Sequence, residues 1–155
     1  SLGSFTGEKL GKAWGISRGT LRLLRHTDST VKGQAVFLAE RASELMNDNI
    51  ITDRTIIDVM AFAKCSKSMN YIEANDFCHF ASNMLNEYDY IFYVSPEGVD
   101  IENNGVRETD ADYRKQIDET IQLLIIKYRH KIKNLVEIKG STKERIKSVK
   151  LSVLS

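Results

Sequence analysis

The sequence predicts one α/β domain, a three-layer fold with a mainly parallel sheet flanked by helices. Three short apolar stretches with the character of strands alternate with helical stripes along the chain, namely Asn49–Thr52, Tyr90–Val94 and Leu135–Ile138. Strands separated by helices are joined by crossovers and therefore run parallel. A length of 155 residues suits a single domain over 1–155 with its own hydrophobic core.

Helical stripes fill the segments between these strands. Apolar residues recur at helical spacing over 31–45 and, most clearly, over Tyr113–Tyr128. A helix that begins near Thr55 and another over Ile72–Asn86 lie between them. The inner face of the latter helix is expected to carry Ile72, Phe77, Phe80, Ala81 and Met84.

Composition and charge exclude several classes of protein. Apolar residues make up 42% and charged residues 28% of the chain, which is ordinary for a soluble domain. The formal charge of +1 gives no case for binding nucleic acid or a membrane surface. No stretch approaches the roughly 18 apolar residues of a membrane span. Two isolated cysteines, Cys65 and Cys78, argue against zinc and suit a reducing cytoplasm, where we expect the protein to reside.

The residues that follow the first apolar stretch are the strongest candidates for chemistry. Parallel sheets bind their ligands at the carboxyl ends of the strands, and Asp53 and Arg54 stand at such an end. A carboxylate there can hold a magnesium-bound water or accept a proton from a substrate hydroxyl, and the arginine can clamp an anionic substrate. Asp58, one turn later, can orient Arg54 or contact the substrate. The alternative is a helix-capping acid beside a surface arginine.

A second candidate lies where the long helix begins. Arg107 and Arg114 are two helical turns apart and follow the polar loop Gly98–Gly105. Paired arginines beside such a loop suit a lid that closes over a transferring phosphoryl group and stabilises its charge. We therefore expect the loop to be poorly ordered without ligand. The alternative is ion pairing of Arg114 with Asp110 and Asp118 along the helix.

The turn after the last strand is the third candidate. Gly140 and Ser141 could pass beside an adenine base. The alternative is a simple connection in which Ser141 and Glu144 form a capping box for the final helix.

Four segments, in this order and spacing, carry a resemblance to a known family. They are Ile50–Asp58, Tyr88–Pro96, Gly105–Arg114 and Lys139–Arg145. The first matches a strand followed by D-R-x-x-x-D, the second a strand before a lid, the third the lid itself and the fourth a final G-S-x-x-E-R turn. Together they resemble the NadR-like AAA/P-loop ATPase family, which includes the ribosylnicotinamide kinase domain of bacterial NAD biosynthesis.

The resemblance implies a P-loop NTPase fold that binds ATP and Mg²⁺. It implies that Asp53 is a catalytic base or magnesium-side carboxylate and that Arg54 holds the acceptor. It implies further that Arg107 and Arg114 form a catalytic lid. The partners it implies are a nucleotide and a small-molecule substrate.

The start of the chain departs from the family pattern. A P-loop reads GxxxxGK[ST], whereas Gly3–Leu10 has glycines one residue too close, an acidic residue before the lysine and leucine for the hydroxyl residue. The stretch also offers no first strand. We therefore expect the chain as written to be discontinuous, with a Cα–Cα step within Ser1–Thr20 much longer than about 3.8 Å. Gly3, Ser4 and Gly7 remain nucleotide-binding candidates on this interpretation.

Three hypotheses follow. The leading one is a kinase that transfers the γ-phosphoryl group of ATP to a nucleoside- or nucleotide-like hydroxyl. The second is an ATPase or nucleotide-binding regulatory module that needs no acceptor pocket, and the third is a non-catalytic relative. An acceptor pocket would separate the first hypothesis from the second.

Overall fold

The computed structural model describes residues 31–96 and 108–154. Five helices and two strands lie in these ranges. In chain order they are α1 (Val31–Glu44), α2 (Ile56–Cys65), α3 (Tyr71–Ser82), β1 (Ile91–Val94), α4 (Glu108–Lys127), β2 (Leu135–Ile138) and α5 (Thr142–Leu154). Single 3₁₀ turns at Leu85–Glu87 and Arg129–Lys131 precede the two strands.

Helix α2 forms the centre of the described core. It packs against α1, α3 and α4, and its Ile56 and Met60 are fully buried. The helix begins where the sequence predicts. Thr55 is the N-cap, and its side chain and that of Asp58 complete a capping box, which satisfies two amide groups that the first turn leaves without partners.

Helix α3 buries small residues, and Phe77 of the predicted inner face packs partly buried against the core. Ala74, Cys78 and Ala81 are buried, and the Cys78 thiol lies 3.4 Å from the Met60 carbonyl oxygen. By contrast, Ile72 and Phe80 are exposed, with relative accessibilities of 69% and 64%. The prediction of the inner face was therefore wrong for these two, because small side chains at helical spacing let the backbones of α2 and α3 approach closely.

The two strands pair in parallel, as predicted. Ile91 lies opposite Leu135 and Val94 opposite Ile138, so the strands are in register over their full length. Helix α4 forms the crossover between them, and Leu124 and Tyr128 of its apolar stripe are buried in the core. Within the described ranges the sheet has these two strands, which is compatible with the predicted three-layer fold without showing all of it.

The predicted strand Asn49–Thr52 was wrong. The segment is irregular, Asn49 has a φ of 54° and Ile51 has a relative accessibility of 86%. A left-handed residue cannot continue a strand, and two consecutive isoleucines place one side chain on each face. The exposure of Ile51 shows that the segment follows the surface as a connection between α1 and α2.

Several predictions lie outside the described residues. They concern the nucleotide-binding candidates Gly3, Ser4 and Gly7, the chain break expected within Ser1–Thr20, the loop Gly98–Gly105 and the catalytic candidate Arg107. None of the helices in the described ranges has both the length and the apolar character that crossing a bilayer requires.

Candidate functional site

The connection that leads into α2 is held at successive backbone groups by side chains. Arg41 Nη1 donates to the Asp53 carbonyl oxygen at 3.0 Å. The Thr52 hydroxyl donates to the Arg54 carbonyl oxygen, also at 3.0 Å. Two amides then follow. The Thr55 N–H donates to Asp58 Oδ2 at 2.7 Å, and the Ile56 N–H donates to the Tyr88 hydroxyl at 3.1 Å.

This dense bonding supports a strained residue. Arg54 has a φ of 75°, in the left-handed region that costs an L-residue about 1–2 kcal/mol. Its guanidinium carbon lies 5.9 Å from the centre of the ring of Phe62, a residue of α2. Non-glycine residues keep such a conformation where the surroundings over-determine it, and these residues cluster at functional sites. The strained turn therefore marks Arg54 as a site candidate on grounds independent of its sequence motif.

Arg41 belongs to a largely buried charge cluster on α1. Its Nη2 lies 3.2 Å from Glu44 Oε1 and 3.7 Å from Glu40 Oε1, and its side chain is 17% exposed. Burial raises the pKa of Glu44, and the neighbouring Arg41 guanidinium partly offsets that effect. The second Glu44 oxygen is buried and has no hydrogen-bond partner among the described residues. Arg41 is thus the group that makes a buried carboxylate tolerable at this position.

A cleft of about 650 Å³ opens beside this turn. It lies among α1, α2, the connection before α2 and the first turns of α4. Its wall is part aromatic and part charged, with Phe37, Phe62, Tyr113, Glu40, Arg41, Arg54, Asp58 and Lys67 among the lining residues. Its volume falls in the range of about 300–1,000 Å³ that is usual for small-molecule sites.

Asp58 lines the cleft and also caps α2. Burial raises the pKa of Asp58, while the Thr55 amide hydrogen bond and the nearby Arg54 guanidinium act in the opposite direction. The side chain therefore has a structural function at the helix terminus, and its predicted contact with a substrate stays a prediction.

The carboxyl end of the sheet lies at a different turn, which Arg145 holds. Gly140 has a φ of 95°, and the Arg145 Nε donates to its carbonyl oxygen at 3.0 Å. The same guanidinium reaches the Ser95 carbonyl oxygen at 3.4 Å, so it ties the ends of both strands. Ser141 accepts from the Glu144 N–H at 3.2 Å, the serine half of the predicted capping box.

Helix α4 is fixed to β1 by a polar cluster. The Tyr93 hydroxyl donates to Asp118 Oδ1 at 2.7 Å, and the Gln122 amide donates to Asp118 Oδ2 at 2.8 Å. Both carboxylate oxygens of Asp118 thus accept from Tyr93 and Gln122, and among the described side chains Asp118 forms no ion pair with Arg114. The alternative pairing of Arg114 with Asp110 lies outside the described side chains. Arg114 is exposed, next to the cleft-lining Tyr113.

The structure therefore brings together part of the predicted site. Asp53, Arg54 and Asp58 share one turn, and the last two line the cleft. Gly140 and Ser141 belong to the turn at the strand ends and are not among the cleft-lining residues. Sequence reasoning missed the remaining cleft residues. Arg41 and Glu44 are three residues apart on α1, a spacing that predicts an ion pair. The contact of Arg41 with the Asp53 carbonyl, twelve residues away, could not be predicted from that spacing.

Comparison with known proteins gives one informative match. No curated protein and no solved structure matches the chain. A family model described as an AAA domain matches residues 19–145, which is most of the chain. The match includes all the described site residues and implies a P-loop NTPase fold, while the narrower NadR-like resemblance stays a prediction. The chain therefore belongs to this AAA domain family of nucleotide-binding P-loop proteins.

Proposed function

We propose that the protein is an ATP-dependent kinase that transfers the γ-phosphoryl group of ATP to a hydroxyl of a nucleoside- or nucleotide-like acceptor in the cytoplasm. Family membership supports the nucleotide half of this proposal. The observation that carries the acceptor half is the aromatic and charged cleft beside the Asp53–Arg54 turn. An ATPase or a regulatory module needs a phosphate site but has no use for an acceptor cleft of this size.

Asp53 is the proposed catalytic carboxylate. Its side chain is exposed, and the structure uses its backbone oxygen, through Arg41, to hold the turn. The carboxylate is therefore available to accept a proton from the acceptor hydroxyl or to hold a magnesium-bound water. Proton removal raises the nucleophilicity of that oxygen as it approaches the phosphoryl group.

The residues present fit a magnesium ion that is held mainly by nucleotide and water. Within the described ranges no group of three or more His, Cys, Asp or Glu side chains could hold a metal ion. Mg²⁺ commonly binds one or two carboxylates plus substrate phosphates, so the Asp53 carboxylate alone suits it. When bound, the ion would neutralise charge on the nucleotide phosphates.

The arginines divide between binding and catalysis in this proposal. Arg54 binds the acceptor from the wall of the cleft, together with Asp58. Arg114, with Arg107, stabilises the charge that develops on the transferring group. Gly3, Ser4 and Gly7 hold the nucleotide phosphates, and Gly140 with Ser141 contacts the base.

The test measures ADP formation from ATP and Mg²⁺ against a panel of nucleosides, nucleoside monophosphates and pyridine ribosides. We expect ADP formation to depend on one class of acceptor and the acceptor to gain one phosphoryl group by mass spectrometry. Asp53→Asn should abolish it. Asp48→Asn, which changes an exposed acid five residues earlier, should leave it intact. Equal ADP formation without any acceptor would favour the ATPase, and no ADP formation would refute the kinase.

A further inference from the structure

We infer that Arg41 is a positioning residue that holds the Asp53–Arg54 peptide in the left-handed turn that sets the directions of the Asp53 and Arg54 side chains. The conformational part of this inference stands on the geometry alone. Its catalytic consequence rests on the kinase function proposed above.

The contacts of Arg41 show how it can act on two groups at once. One guanidinium nitrogen donates to the Asp53 carbonyl oxygen, and the other lies 3.2 Å from Glu44 Oε1. The Glu44 side chain is 5% exposed, so its carboxylate is a fixed anchor for the guanidinium. A planar fork can bridge a carboxylate and a carbonyl in this way, whereas the single ammonium of lysine cannot match both directions.

The position of the bond on the backbone gives it a specific effect. The Asp53 carbonyl belongs to the peptide unit that precedes Arg54, so fixing it fixes the plane from which the φ of Arg54 is set. The neighbouring bonds act elsewhere. The Thr52 hydroxyl bonds the carbonyl oxygen of Arg54, within the same turn. The Tyr88 hydroxyl accepts from the Ile56 amide, at the start of α2. Arg41 therefore supplies the contact from another helix that acts on this peptide.

Loss of that contact should relax the turn. A left-handed L-residue is less stable than the same residue in the right-handed or extended region, so Arg54 reverts once nothing enforces its conformation. The Asp53 carboxylate and the Arg54 guanidinium then leave the geometry that the reaction needs. Small misplacements of catalytic groups lower turnover strongly, on the order of 100-fold for 1 Å.

The first experiment measures the backbone and requires no activity. Arg54→Gly and Arg54→Ala both remove the side chain and differ in their tolerance of positive φ. In the otherwise natural protein we expect Arg54→Gly to melt about 2–4 °C above Arg54→Ala. With Arg41→Lys, which keeps a cation beside Glu44 and protects folding, the gap should vanish or reverse. An equal gap in both backgrounds overturns the inference.

The second experiment measures the reaction. Arg41→Lys should lower the turnover number about 10-fold or more while the KM for ATP stays within about twofold, because the nucleotide phosphates are held elsewhere. Arg129→Lys is the matched control, since Arg129 also donates to a backbone carbonyl, that of Ile132 at 3.0 Å, near the other end of the sheet. It should keep the natural turnover number.

The outcomes separate the two proposals. If the natural protein phosphorylates no acceptor, the kinase function fails, and the melting comparison still decides the role of Arg41. If the natural protein is active and Arg41→Lys matches it in turnover, the positioning role in catalysis is overturned even where the melting gap disappears.

Discussion

Two turns in the described part of the chain combine a residue with positive φ and an arginine that donates to a backbone carbonyl of the same turn. At the first, Arg41 holds the carbonyl of Asp53, just before the left-handed Arg54. At the second, Arg145 holds the carbonyl of the left-handed Gly140 itself. Both bonds are 3.0 Å long. The two turns thus share a construction and differ in the residue that occupies the left-handed position.

That difference indicates what each turn is for. Glycine adopts positive φ without steric cost, so the Gly140 turn connects β2 to α5 in the least strained way. The Arg54 turn retains a long charged side chain at a cost of about 1–2 kcal/mol in backbone strain. A side chain kept at that cost, in the wall of a cleft, is expected to have a use beyond folding. The Gly140 turn needs no such explanation.

The largest expected effect is a loss of activity in Asp53→Ala, which tests whether the Arg54 turn has a function that the Gly140 turn lacks. Asp53→Ala removes the exposed carboxylate and keeps the backbone oxygen that Arg41 binds. We expect the turnover number to fall by about 10²–10⁴-fold. The melting temperature should change little, because the Asp53 side chain makes no hydrogen bond or ion pair with the described residues. Steady-state kinetics and calorimetry measure both. Retained activity together with a large loss of stability would show that the carboxylate is structural.

The next effect concerns the lid. Arg114→Ala removes an exposed guanidinium next to the cleft-lining Tyr113. We expect the turnover number to fall by about 10²–10³-fold, because the group acts on charge present in the transition state, and ATP affinity to change less. Lys115→Ala, an exposed cation one residue later, is the control. A fall in ATP affinity alone would place Arg114 in ground-state binding.

A stability measurement sharpens the contrast between the two turns. Gly140→Ala should lower the free energy of unfolding by about 1–2 kcal/mol, because alanine is strained at a φ of 95°. The new methyl group would also meet the Glu144 carboxylate. Arg54→Ala should cost less, about 0.5–1 kcal/mol for the lost contact with Phe62, because an L-residue already occupies that position. Urea denaturation compares them.

Two further outcomes complete that comparison. Glu144→Ala in the Gly140→Ala background should relieve the steric part and leave the backbone part. Equal losses for Gly140→Ala and Arg54→Ala would show that the two left-handed positions are equivalent.

The smallest effect is a pH dependence at Asp58. Burial raises the pKa of this carboxyl above its usual 3.8 in the folded state. The folded protein therefore binds the proton more tightly than the unfolded chain, and stability from this group is present below pH 3.8 and is lost as pH rises through the folded pKa. Asp58→Asn keeps an oxygen that can cap α2 and removes the titration.

The measurement is the difference in free energy of unfolding between the natural protein and Asp58→Asn. As pH rises from 4 towards neutrality, the natural protein should lose stability relative to Asp58→Asn. Above the folded pKa of Asp58 the difference should become constant. A difference that moves in favour of the natural protein would mean that attraction to Arg54 outweighs burial and that the pKa is lowered instead.

The sequence by itself determined the elements whose signals are local. The β1 and β2 stretches, the start of α2 at Thr55 and the pairing of Ser141 with the Glu144 amide depend on propensity, periodicity and capping over a few residues. The motif Asp53–Arg54 was likewise visible. Parallel pairing of the strands also followed, because a crossover helix between two strands requires it.

The tertiary structure decided whatever depends on contacts between distant parts of the chain. Ile50 and Ile51 have the sequence character of a strand. A strand requires hydrogen bonds to a neighbouring strand, however, and this segment forms a surface connection instead. In α3, close packing on α2 buries Ala74 and Cys78 and leaves Ile72 and Phe80 exposed, although periodicity placed the last two on the inner face. The contact of Arg41 with Asp53 spans twelve residues and joins two elements. A contact between a side chain and a distant peptide produces no periodic pattern in the sequence, so only the tertiary structure reveals it.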